Sequence, residues 1–359
     1  MTKREIWYWL STLPSWEGKT VGRVLECLGP LEAVWNARQL PVTPAQQREA
    51  EERRREPERL AEELEALEQR GIRFVCREDP DFPPRLRRWR DGPFFLFALG
   101  SLPPEGPAAA LVGARKCTEY GRLQAEELGR FLAENGVAVI SGLALGVDGA
   151  AQRGALRAGG YSCGVLGTGV DVCYPASHRT LYRELQEKGG LISEYAPGSP
   201  PLPYHFPLRN RIISGLADLT VVVEAGKKSG SLITADWALE QGKDVLAVPG
   251  RMGDPMSQGC NRLIRQGAGI VAEPGDILEA LGMGKKKRKS PEPRLTAEEQ
   301  AVWRCLGTEP AGLDQICAES GQPVGAALMI LLRLEMRQLV RQTGAGQYLR
   351  VPGRGPGAG

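Results

Sequence analysis

Apolar residues fall into different rhythms along the chain. Over residues 1–43 they recur at helical spacing, Ile6, Leu10 and Leu13, then Val21, Val24, Leu25 and Leu28, before Gly29-Pro30 gives a stop signal. Residues 44–70 alternate acids and bases (Arg53-Arg54-Arg55, Glu62, Glu63, Arg70) with Leu60, Leu64 and Leu67 on one stripe. That is the pattern of a helix with a solvated face. A connector follows, Asp79-Pro80-Asp81-Phe82-Pro83-Pro84, leading to the apolar stretch Pro93–Gly100.

From about residue 108 to 281 the rhythm changes to short apolar runs separated by amphipathic helices that end in glycine, such as Thr118 to Asn135-Gly136. The runs Ala109–Val112, Val137–Ile140, Ser162–Leu166, Gly190–Ile192, Leu219–Val223, Val245–Val248 and Gly269–Val271 predict strands. Most are apolar on consecutive positions, as strands covered on both faces must be. Repeated strand–helix–strand units predict an α/β fold, a Rossmann-like, doubly wound, mostly parallel sheet. Beyond a basic segment (Lys285-Lys286-Lys287-Arg288-Lys289) the order helix (Thr296–Leu306), helix (Leu313–Glu319), helix (Pro323–Met336) and hairpin (Leu339–Thr343, Gln347–Val351) suits a winged helix. The expected domains are therefore a helical unit at 1–75, a Rossmann-like domain at 76–282, a basic linker at 283–294, a winged helix at 295–351 and a disordered tail at 352–359.

Composition narrows the class. With 359 residues, two or three domains are expected, and 42% hydrophobic with 25% charged residues is ordinary for a soluble globular protein. No run of about 18 apolar residues occurs, and Met1–Leu10 has too short an apolar stretch for a secretory signal, so a cytoplasmic protein without membrane contact is expected. The eight cysteines are scattered singly. With no C-x-x-C pair and only His178 and His205 to add imidazole, reduced thiols are expected and no metal site. A net charge of +3 permits a polyanionic partner without requiring one.

In an open parallel sheet, ligands bind beyond the carboxyl ends of the strands, where helix N-termini favour anions. Small residues sit at those ends: Gly113-Ala114-Arg115, Ser141-Gly142-Leu143-Ala144, Gly167-Thr168-Gly169, and Ser229-Gly230-Ser231. A dinucleotide would require G-x-G-x-x-G after the first strand and an acid ending the second; here stand Gly113-Ala114-Arg115-Lys116-Cys117-Thr118 and Ser141. No P-loop occurs either, and Arg115 instead suits an isolated phosphate on a chain. The segment before the fifth strand, read as a loop, adds Phe206-Pro207-Leu208-Arg209-Asn210-Arg211 beside Tyr204 and His205. Cations interleaved with rings fit single-stranded nucleic acid. Alternatively, Arg209 and Arg211 pair with Glu194 and Glu224. Four acids at strand ends, Asp148, Asp171, Glu194 and Glu224, keep a second class open, a nucleotide-phosphate hydrolase of the lysine-decarboxylase-like group. That group's loop reads P-G-G-x-G-T-x-x-E; the corresponding Ser229–Thr234 keeps the phosphate-binding glycine but lacks that sequence and its glutamate, and no catalytic residue or cofactor is expected.

Together these motifs closely resemble the DNA-processing protein A (DprA/Smf) family. The resemblance runs in order from about residue 80 to 281, through Val112–Arg115, Thr118–Gly121, Ser141–Ala144, Gly146–Asp148, Gly167–Asp171, Ser193–Tyr195, Phe206-Pro207, Arg209–Ile213, Ser229–Ala235, Ala247–Gly250 and Gly259–Asn261. It implies a protein that binds single-stranded DNA, protects incoming DNA and helps load a RecA-type recombinase in natural transformation, as a homodimer joined through its Rossmann-like domain. It also implies a sterile-alpha-motif-like fold for residues 1–75 and a winged helix for 295–350. The candidate DNA contacts are Gly113, Arg115, Ser141, Gly142, Phe206, Arg209, Asn210, Arg211, Ser229, Gly230 and Ser231. Two features depart from simple DNA readers. The turn Pro14–Lys19 lacks a G-x-G hairpin, and Val324–Leu334 is almost wholly apolar, suiting core packing or a protein-binding surface rather than base reading.

Overall fold

Thr2 opens the first helix with a capping box: its hydroxyl accepts from the Glu5 amide while the Glu5 carboxylate accepts from the Thr2 amide. Thr43 and Gln46 repeat the device. The computed structural model describes residues 1–16, 18–284, 295–337, 339–344 and 346–351. Its N-terminal part holds helices α1 (Lys3–Ser11), α2 (Gly18–Leu28), α3 (Leu31–Asn36), α4 (Pro44–Arg54) and α5 (Pro57–Gln69). Residues 44–70 make two helices rather than one, because Pro57 has no amide to continue α4 and instead starts α5.

The chain then forms β1 (Arg73–Cys76), α6 (Pro84–Arg88) and β2 (Phe95–Gly100). Neither strand is among those predicted, although β2 falls within the apolar stretch Pro93–Gly100, and β1 straddles residue 75, the predicted end of the helical unit. Next come β3 (Ala108–Val112), α7 (Glu119–Glu134), β4 (Ala138–Ser141), α8 (Val147–Arg157), β5 (Ser162–Val165), α9 (Arg179–Lys188) and β6 (Gly190–Ser193). The return half holds α10 (His205–Leu216), β7 (Leu219–Val222), α11 (Ser231–Glu240), β8 (Asp244–Ala247), α12 (Gln258–Arg265), β9 (Gly269–Ile270) and α13 (Gly275–Ala280). All seven strands expected from the apolar runs are present within a residue or two of the predicted bounds.

They form one nine-stranded sheet in the order β1-β2-β6-β5-β4-β3-β7-β8-β9. From β6 to β9 every pairing is parallel, whereas β1–β2 and β2–β6 are antiparallel. The chain winds outward from β3 to β6, then returns beside β3 as β7, so the topological switch point lies between β3 and β7. Successive β3 residues serve opposite layers. Ala108, Ala110 and Val112 pack with α6, α10, α11 and α12, while Ala109 and Leu111 pack with α7, α8 and α13. The helical unit shares a third core with the sheet, running from Ile6 and Trp9 through Phe74, Phe95 and Phe97 to Leu191. Trp7 stacks on Phe94 at 5.6 Å and Tyr8 meets Phe74 edge-on at 5.6 Å.

Helices α7 and α8 touch backbone to backbone. A Cβ on Gly129 would lie 2.1 Å from the Ala151 carbonyl oxygen, and one on Gly154 2.0 Å from that of Glu126. Gly129→Val must push the helices apart, and overpacking of this kind costs about 1–3 kcal/mol. Urea unfolding should show that loss; an unshifted midpoint would mean the crossing has slack.

The C-terminal unit has its own core of Val302, Trp303, Ile316, Ile330, Leu331, Leu334 and Val340. It comprises α14 (Ala297–Cys305), β10 (Ala311–Gly312), α15 (Leu313–Ser320), α16 (Val324–Met336), β11 (Val340–Gly344) and β12 (Gln347–Arg350), with sheet order β10-β12-β11. Three helices and a hairpin make a winged helix, with β10 added to the predicted elements. Arg341 bonds Glu126 of α7 at 3.2 Å, and Arg251 pairs with Glu309. The basic run 285–289 and the tail 352–359 lie outside the described residues. No described helix is long and apolar enough to cross a membrane.

Candidate nucleic-acid interface

At the switch point, the loops after β3, β4, β5 and β7 and the start of α10 enclose a cleft of about 620 Å³. Its floor begins with the turn after β3. The Ala114 amide donates to the Glu224 carbonyl at 2.7 Å, and the Val147 amide donates to the Ala114 carbonyl at 3.3 Å. This turn is thereby tied to β7 on one side and to α8 on the other. Arg115 leaves it exposed, with its guanidinium 5.2 Å from the Phe206 ring centre. Tyr174 lies beside the same ring at 5.5 Å and is 41% exposed. A cation held over one ring, with a second ring at its edge, offers a stacking surface and a phosphate ligand side by side.

The opposite wall is the start of α11. Ser229 and Ser231 share a hydroxyl hydrogen bond of 2.8 Å, and the Asn210 side-chain amide donates to the Gly230 carbonyl at 3.3 Å. That bond ties α10 to the loop after β7. Lys116 and Lys228, both exposed, complete the basic lining. Neither was singled out from the sequence, although each adjoins a chosen residue, Lys116 after Arg115 and Lys228 before Ser229.

The arginine pair of Arg209-Asn210-Arg211 separates. The segment is a helix, not a loop, and residues two apart on a helix lie about 200° around its axis. Arg209 points inward and is 4% exposed. It donates to the carbonyls of Gly142, at 2.8 Å, and of Val165, beneath the cleft. The carboxylate of Asp148 compensates its charge; burial lowers the guanidinium pKa and raises that of Asp148, each opposed by the other partner. Nε of Arg209 has no hydrogen-bond partner among the described residues. Arg211 turns away from the cleft, donating to Glu194 at 2.5 Å with its guanidinium over Trp89. The pairing with Glu194 predicted as an alternative is thus present for Arg211, whereas Arg209 pairs with neither acid: it donates to backbone carbonyls, and Asp148 compensates its charge at longer range.

Ser141 and Gly142 also lie beneath the surface. The Ser141 hydroxyl donates to the Leu111 carbonyl at 2.6 Å, and the Gly142 amide donates to Asp148 at 3.1 Å. The next residue, Leu143, has φ 54°, a left-handed conformation that costs a residue with a Cβ about 1–2 kcal/mol. His178 Nδ1 donates to its carbonyl at 3.1 Å, so Arg209 and His178 hold this strained turn from two sides. The structure therefore brings Gly113, Arg115, Phe206, Asn210, Ser229, Gly230 and Ser231 to the cleft, with Arg209 under its floor. It does not bring Ser141, Gly142 or Arg211 to the cleft.

The acids at the strand ends are engaged. Asp171 accepts from Arg70 at 2.6 Å and from the Gly198 amide at 2.7 Å. Glu224 accepts from the Thr118 amide and hydroxyl, each at 2.7 Å, bonds that oppose the upward push of burial on its pKa. Among the described residues, no group of three or more histidine, cysteine or acidic side chains is placed to hold a metal ion.

A doubly wound sheet with a basic, aromatic-lined cleft at its switch point defines a class of α/β proteins that bind phosphate-bearing ligands there. The chain belongs to the DNA-processing protein A family. Residues 73–282 match the model of the DNA recombination-mediator protein A family, and residues 286–346 match that of the DprA winged helix domain. A putative DNA processing protein DprA of Mycobacterium tuberculosis is 37% identical over 95% of both chains. Protein Smf of Escherichia coli is 39% identical over 80% of this chain and 78% of its own. Among solved structures, DNA processing protein A of Streptococcus pneumoniae superposes with a TM-score of 0.66 at 34% identity, over 78% of this chain and 98% of that one. DNA processing protein A of Helicobacter pylori, solved for insight into its single-stranded DNA binding mode, gives 0.53 at 28% identity, over 58% of this chain and 95% of that one.

Proposed function

We propose that this protein binds single-stranded DNA along the cleft, protects incoming DNA and helps load a RecA-type recombinase during natural transformation, catalysing no reaction of its own. It would act in the cytoplasm as a homodimer joined through the Rossmann-like domain. The observation that carries the reading is Arg115 over Phe206 with Tyr174 alongside, between Lys116 and Lys228. Phosphates would meet cations and unstacked bases would meet rings, which a duplex cannot offer without opening. The single-stranded DNA binding mode described for the Helicobacter relative supports the same choice. The engaged acids give no support to a hydrolase.

Polarisation titrations with a labelled single strand and with blunt duplex test this. Stacking contributes about 1–3 kcal/mol per base, so the single strand should bind at least about tenfold tighter, with little sequence preference. Equal affinities would defeat the proposal, and release of phosphate from nucleotides would revive the hydrolase.

A further inference from the structure

Helix α16 stands third in the winged helix, where a DNA-reading helix would carry polar side chains outward. Its inner face, Ala327, Ile330, Leu331 and Leu334, fills the domain core. Its outer face is apolar as well: Val324, Leu328, Met329, Leu332 and Met336 are 52, 41, 53, 51 and 78% exposed. Arg333 is the one exposed charge among the residues of α16, Glu335 being half-buried. Scattered exposed apolar residues are ordinary, but five on one face of a 13-residue helix form a patch that marks an interaction site.

We infer that this face pairs with the same face of a second copy, joining two winged helices antiparallel about a two-fold axis. Val324, Leu328, Leu332 and Met336 recur every fourth residue, so they form a straight ridge of the kind that interdigitates with its own copy at a crossing near −50°. The ridge reads almost the same in both directions around Ile330. An antiparallel partner sets leucine against leucine at the centre and valine against methionine at each end, meeting the requirement of a two-fold interface that residue i contact j while j contacts i. No charge lies on the ridge to oppose its copy. The five side chains leave on the order of 500 Å² per chain in water, so pairing removes about 1,000 Å², the lower limit for a specific interface. The association is therefore reversible. Met329 and Met336, unbranched and adaptable, fill the margins.

Sedimentation velocity of the full chain without DNA, across micromolar concentrations, tests the pairing independently of the cleft. The wild type should show a concentration-dependent association step, beyond any dimer joined through the Rossmann-like domain, whose dissociation constant rises at least about tenfold in Leu328→Glu, Leu332→Glu and Met336→Glu, and little in Leu332→Met. The substituted side chains are already solvated in part, and a thermal melt of each variant checks that the fold survives. Met336→Glu, at the most exposed position, keeps the test alive if a central variant misfolds. Glutamate variants that associate as the wild type does would overturn the inference. So would variants of unchanged mass that instead lose affinity for duplex DNA or for another protein, because the face would then serve that partner.

Discussion

Replacing Arg115 with alanine is expected to weaken single-strand binding by about 10- to 100-fold, the loss of one charge-assisted phosphate contact. The same change should flatten the dependence of log affinity on log salt by about 0.7, the contribution of one phosphate on a single strand. Arg115→Glu combined with Lys228→Glu inverts the charge on both walls and should leave almost no measurable binding. Neither variant should melt early, because both side chains are exposed. Arg211→Met supplies the contrast. Its guanidinium lies away from the cleft against Glu194, so the salt slope should stay at the wild-type value. If the folded double-glutamate protein bound as tightly as wild type over a range of salt, the cleft would not be the site.

Arg209→Met should act through the fold. It leaves the Asp148 carboxylate buried without its cation and the Gly142 and Val165 carbonyls without their donor. Taking away the charge that compensates a buried carboxylate, together with the donor to two buried carbonyls, should cost about 3–5 kcal/mol. Urea unfolding should show a loss of that size, and DNA affinity should fall because the strained Leu143 turn, which backs α8 and the Arg115 turn, loses one of its two clamps. The salt slope of the remaining folded protein should be unchanged, which separates this residue from Arg115. Wild-type stability would show that Arg209 does not hold the floor.

The parallel strands were legible because burial on both faces writes an uninterrupted apolar run, as in Leu219–Val222. Strand β1 was not, since Phe74-Val75 is a short run beside a proline-rich turn, and the run Phe95–Leu99, though apolar throughout and buried on both faces, carries no sign that it pairs antiparallel at the far end of the sheet. The glycine turns revealed where the cleft lies. Adjacency misled at Arg209-Asn210-Arg211: three polar residues in a row look like one surface, but a helix sends the two arginines to opposite sides. Lys116 and Lys228 stayed hidden for the converse reason. Exposed lysines are common, and only the closing of two distant loops across β3 and β7 gives these two a shared target.

The aromatic seam between the helical unit and the first two strands bears on how such a gene can change over evolutionary time. Trp7 on Phe94 and Tyr8 on Phe74 knit the two parts into one interior, so neither is an independent cassette. An ancestor could not gain or shed these helices by a clean splice at residue 72. Without them Phe74, Phe95 and Phe97 would face water, inviting aggregation at the sheet edge that β1 forms. Loss of the unit must travel with polar replacements along β1 and β2, which makes these two short strands, rather than the linker sequence, the place where its ancestry is recorded.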